Sequence, residues 1–166
     1  MGDGAFAPEA TRVPRGTYVI WDFIGSQAHR VVDGTGMDLY DSGRRSDGAS
    51  WHRFRTAGTY PYVCLVHPSM RGRVSVPAAV SPRRGQRSTV FTVTWSTSSA
   101  PEGTLFDVQI KRPGTNGWRA WKRSLGRASA SFKPDAGTGT YRFRARMRDL
   151  AGADAGWSPA ASIRVR

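Results

Sequence analysis

The chain holds one cysteine, Cys64, among its 166 residues, so no internal disulfide can staple its fold. A lone thiol in an exported protein is either a liability or a ligand. No apolar run approaches the roughly 20 residues a membrane-spanning helix needs. No stretch repeats apolar residues at convincing helical spacing, which argues against a helical fold. Acids are scarce as well: 12 Asp and Glu stand against 25 Lys and Arg, a formal net charge of +13. The opening "MGDGAFAPEA" shows no basic stretch followed by an apolar one, the pattern of a secretory leader. Phe6 stands where a myristoylation pattern wants Ser or Thr.

The apolar content of 39% is ordinary and excludes global disorder. The length suits one large domain or two small ones of roughly 80 residues. Charge separates the halves. Residues 1–80 carry nine arginines against seven acids, a net of +2; residues 81–166 carry sixteen Lys and Arg against five acids, a net of +11. Short β-branched and aromatic runs recur between Gly, Pro, Asp and Ser clusters, the pattern of an antiparallel all-β protein. In the first half these are "GTYVIWDF" (16–23), "AHRVVDG" (28–34), "SWHRFRT" (50–56), "GTYPYVC" (58–64) and "GRVSVP" (72–77). In the second half the runs lie at 89–96, 104–112, 118–124, 128–134, 140–149 and 161–166. Between them "VPAAVSPRRGQRS" carries Pro77 and Pro82, which disfavour a continued ladder. Domains are therefore expected at 1–79 and 89–166, with 80–88 a linker short enough for the two to touch. Residues 140–149 alternate cleanly, with Tyr141, Phe143, Ala145 and Met147 on one face and Arg142, Arg144, Arg146 and Arg148 on the other.

The chemistry concentrates in "GTYPYVCLVHPSM" (58–70), where Cys64, His67 and Met70 are spaced C-x2-H-x2-M. Buried core, reactive thiol and metal cage all remain open for such a loop. A nucleophilic Cys–His pair lacks an evident orienting Asn or Asp and an oxyanion pocket. Structural zinc prefers more thiolates and no methionine. A thiolate, two imidazoles and a weak axial thioether suit copper in both of its oxidation states. The second imidazole must come from elsewhere, and His29 stands at the start of a strand in "WDFIGSQAHRVV". His52, mid-strand in "SWHRFR" with Arg53 and Arg55 close by, reads as a surface residue.

Residues 6–76 resemble the plastocyanin-type cupredoxin domain. "AFAPEATRVPRGTYVIWDF" is similar to its early strands, "AHRVV" to its first ligand segment, and "AGTYPYVCLVHPSMRGRVSV" to its copper loop and last strand. The loop is most similar to the amicyanin branch. The resemblance implies a Greek-key β-sandwich in which His29, Cys64 and His67 are equatorial ligands of one copper ion and Met70 is axial. It implies a blue copper site passing single electrons, with the exposed edge of His67 in an apolar patch as the port. It also implies an extracytoplasmic setting, so an export signal would lie upstream. Two departures stand out. The family usually places Asn after its first His, tying the ligand loops together; here Arg30 takes that position, and its charge is expected to favour Cu(I). Little chain precedes Phe6, which leaves either an upstream first strand or a frayed sheet edge.

Residues 82–166 resemble a fibronectin type III domain, a second β-sandwich. Trp95 falls at its early core Trp, Tyr141 at its penultimate-strand Tyr, and Trp157–Ser158 before its last strand. The arginine row of 140–149 is expected either to be solvated or to stack with Trp157, or with Trp118 and Trp121, as a cation–π ladder.

Three functions are compatible with these residues. The first is single-electron transfer with a redox partner protein. The second is copper buffering or delivery without one. The third is a binding module attaching to polyanions through the basic second domain. No base-reading motif supports sequence-specific nucleic-acid binding. Nothing points to an enzyme, because four protein ligands leave the metal no open position and no partner coppers are evident.

Overall fold

The computed structural model describes residues 3–166, which form fourteen strands and no helix. In the first half, β1 (Ala10–Arg12) runs parallel to β6 (Arg71–Val76). β6 pairs antiparallel with β5 (Gly58–Cys64), and β5 with β3 (Val31–Asp33). The facing layer is a ribbon of β2 (Thr17–Asp22) and β4 (Ala49–Phe54). Trp21 and Phe54 from the ribbon meet Tyr60, Tyr62, Val74 and Val76 from the sheet in one core. Each such side chain contributes about 1.5–3 kcal/mol on leaving water. The period-2 alternation of β5 aims the thiol. It buries Gly58, Tyr60, Tyr62 and Cys64 and turns Thr59, Pro61 and Val63 outward, so Sγ arrives on the core side.

The second half is a sandwich of five strands on three. The larger sheet runs β11 (Arg119–Leu125), β10 (Thr104–Lys111), β13 (Gly139–Asp149), β14 (Ala161–Val165) and β8 (Arg84–Gly85). The smaller runs β12 (Ser129–Phe132), β9 (Phe91–Thr94) and β7 (Ala79–Ser81). Trp95 and Tyr141 are fully buried between them. The Tyr141 hydroxyl donates to the Gly137 carbonyl at 2.9 Å and accepts from the Ala136 N–H at 2.8 Å, a tyrosine corner.

Residues 80–88, expected as a linker, instead carry much of β7 and all of β8. Pro82 has no N–H to offer a ladder, so the strand breaks there and crosses from one sheet to the other. β1 lies in the stretch matched to early cupredoxin strands, but at three residues it is too short to show a period of its own.

The arginine face of β13 is organised by rings and acids. The Arg144 guanidinium lies 4.4 Å from the Trp118 ring centre and 5.0 Å from that of Trp157, and Arg146 lies 4.6 Å from Trp157. Trp121 takes no part in this stack. It turns inward to meet Phe132, Phe143 and Trp95 edge-on. Asp107 and Asp154 neutralise Arg146, and Asp107 also binds Arg148.

The two sandwiches are docked. The Ala57 N–H donates to the Trp95 carbonyl at 2.7 Å, and Thr59 and Gly156 exchange backbone hydrogen bonds of 2.8 and 2.9 Å. Ala57 belongs to the second core and Ala155 to the first. Gly58 permits this approach, since a Cβ there would stand 3.0 Å from both Ala155 and the Tyr60 ring.

Candidate metal centre

Cys64 ends β5, fully buried, and its loop is pinned at both ends. The Cys64 N–H donates to the Met70 carbonyl at 3.0 Å, and the Met70 N–H to the His67 carbonyl at 2.9 Å. That seven-residue turn buries Cys64 and Met70 and leaves His67 half-buried, with Leu65, Pro68 and Ser69 exposed around it. His29 arrives from the segment before β3. Paired backbone bonds with Arg45, at 2.7 and 2.8 Å, hold it in place, and its ring is fully buried.

The three donor atoms form a small triangle. Cys64 Sγ is 3.7 Å from His29 Nδ1 and 3.9 Å from His67 Nδ1, and the two Nδ1 atoms are 3.2 Å apart. A shared proton can bridge one pair of such lone-pair atoms but cannot bridge all three. A point equidistant from them lies roughly 2.1 Å from each, within the roughly 2.0–2.3 Å that nitrogen and sulfur ligands take on a transition metal. The residues present therefore fit a metal ion. Met70 is buried in the same core cluster as Cys64, in the loop that closes the site.

Arg30 plays a different part from the one expected of it. Its backbone N–H points at Cys64 Sγ (3.5 Å), and its carbonyl accepts from the Leu65 N–H at 2.9 Å. The two ligand segments are thus tied by main chain, with no need for an Asn side chain. The guanidinium turns outward to a bidentate pair with Asp41, with Nε 3.0 and 3.1 Å from the two carboxylate oxygens. Each partner stabilises the other's charge, raising the arginine pKa and lowering the aspartate's. The cation beside the site is locally neutralised.

His52 departs from its expected place on the surface. It is half-buried between Tyr40 and Phe54, at ring distances of 4.7 and 4.8 Å, and takes no part in the metal centre. Burial pushes its pKa below the ordinary imidazole value.

Sequence reasoning missed Asp3. Its carboxylate accepts from the Ser26 hydroxyl at 2.7 Å, the Ser26 N–H at 2.8 Å and the Gln27 N–H at 2.9 Å. These donors, the Ser26 hydroxyl foremost, hold the carboxyl well below the usual carboxylate range. Held there, it lies 3.5 Å from His29 Nε2, a buried nitrogen with no closer partner. An aspartate 26 positions upstream in "MGDG" carries no signal of this contact.

No family model matches the chain, and no curated protein does. Solved structures do. A purple cupredoxin from Nitrosopumilus maritimus is 29% identical, covering 44% of this chain and 82% of that one, with a TM-score of 0.41. A Cu(I) form of an amicyanin variant is 30% identical, covering 41% of this chain and 69% of that one, with a TM-score of 0.37. An Fn3-like protein from Clostridium thermocellum is 12% identical, covering 54% and 86%, with a TM-score of 0.38. With its sequence identity to amicyanin and its two imidazoles and thiol converging on one point, the N-terminal half of this chain belongs to the cupredoxins, and a fibronectin type III-like sandwich comes after it.

Proposed function

We propose that this protein is a single-electron carrier in which His29, Cys64 and His67 would hold one copper ion, with Met70 as a fourth ligand. The observation that carries the reading is the donor triangle, closed to 3.2–3.9 Å on a fixed β frame. Copper bound by these residues would supply the one-electron chemistry. The chain's own part is to hold the ligands still. Strand pairing fixes Cys64, the Arg45 bridge fixes His29, and the two loop hydrogen bonds fix His67 and Met70, so the ligands move little when charge changes. The Arg30 N–H stabilises charge on Sγ. His67 alone of the three donors reaches the surface, and exposed Leu65 and Pro68 beside it supply an apolar rim for a redox partner.

Burial of His29 and Cys64 favours retention of the ion over its delivery. The reading also implies an extracytoplasmic setting, in keeping with cupredoxin habit, and no catalytic activity. Adding Cu(II) to the metal-free protein tests it. An intense thiolate-to-copper charge-transfer band is expected, and Cys64→Ser should abolish it. A colourless wild-type protein overturns the proposal. Rapid loss of copper to a modest chelator would favour delivery instead.

A further inference from the structure

Away from the metal centre, a cleft of about 660 Å³ opens where the two sandwiches meet. Arg12 and Arg15 reach it from the first unit, at and just after the end of β1, and Arg83 reaches it from the crossing between β7 and β8. Between them the floor is apolar, with Val13, Ala78 and Val80 among its residues, and no acid lines it. Small-molecule sites have this size and build: mostly apolar walls, a junction between domains, and a few converging polar groups.

Three arginines lining one acid-free cleft set it apart from the basic faces where acids interleave. Arg30, Arg112, Arg146 and Arg148 all have carboxylate partners. Among the described residues, none of the ion pairs involves Arg12, Arg15 or Arg83. Arg15 is also held in place. Its Nη1 donates to the Pro77 carbonyl at 2.7 Å, while its Nε is buried without a partner. Burial lowers its pKa, with no acid to offset the cost. A half-buried, anchored guanidinium flanked by two more in an acid-free cleft focuses positive potential on one spot. Guanidinium forks match carboxylate and phosphate oxygens in geometry as well as charge.

We propose that this cleft binds a small amphipathic anion, its carboxylate or phosphate held by Arg12, Arg15 and Arg83 and its apolar body lying on Val13, Ala78 and Val80. Both sandwiches contribute residues, so the bound anion braces the junction. The site is independent of the copper reading and can be tested on the metal-free chain.

Calorimetric titration of the full chain with octanoate, octyl phosphate and inorganic phosphate tests it. One-to-one saturable binding of at least one amphiphile is expected, and the tighter of the two names the headgroup. Arg12→Gln and Arg83→Gln, both at exposed positions, should each weaken it about tenfold, the loss of one charge-assisted contact. Arg127→Gln, exposed and outside the cleft, should leave it unchanged. Three results overturn the proposal: no saturable binding of either amphiphile, equal weakening by Arg127→Gln, or inorganic phosphate binding as tightly as octyl phosphate.

Discussion

At His29 the two ring nitrogens face opposite ways, Nδ1 toward Cys64 and His67 and Nε2 toward Asp3. A carboxylate on the far nitrogen makes an imidazole a better donor and favours the more highly charged metal state. On the proposed copper reading, Asp3→Asn should therefore raise the reduction potential and weaken Cu(II) binding by about tenfold or more, with Asp3→Glu recovering part of both. Voltammetry and a Cu(II) titration read the two effects separately. At His52 the sign is set by burial. Its folded-state pKa is depressed below the ordinary 6.5, so the unfolded chain binds the extra proton first. The stability it contributes is full above about pH 6.5 and is lost as pH falls through the folded value. Thermal melts between about pH 7.5 and 5 should show that loss, and His52→Gln should flatten it. The proposed ligand set was legible because Cys64, His67 and Met70 share a tight loop and His29 opens a β-branched run. Asp3 and Asp41 were not, because nothing local to either residue encodes its partner.

Among the elements, β13 was the most readable. Alternation from Tyr141 through Arg148 marks which face is dry. Its wet face carries stored stability in the Trp118–Arg144–Trp157–Arg146 stack. Each cation–π contact is worth about 0.5–2 kcal/mol, and Trp157 makes two of them. Trp157→Ala should cost about 2–3 kcal/mol, measured by denaturant unfolding. An unchanged midpoint would reduce the stack to a solvated row of arginines. The elements that no alternation marked, β1, β7 and β8, have only two or three residues each. Pairing with an already formed edge makes them strands, and two or three residues cannot display a period.

For the whole molecule, the docking of the sandwiches decides behaviour. Each core borrows an alanine from the other half, and main-chain bonds cross the junction. Calorimetry should therefore record one cooperative transition for the full chain. Gly58→Val places a branched side chain against Ala155 and the Tyr60 ring and should cost about 1–3 kcal/mol. If that variant instead melts in two separated steps, the junction carries the coupling; if it melts like wild type, the contact carries no weight. By itself the amino-acid order determined the all-β class, the two-part layout and the Cys64–His67–Met70 loop, since each is written in neighbouring residues through alternation, breakers and spacing. Only the tertiary structure decided that Asp3 backs His29, that Asp41 neutralises Arg30, that residues 80–88 carry parts of two strands, and that three arginines share one cleft. Those outcomes depend on which distant surfaces meet once apolar faces are buried, and no local pattern records them.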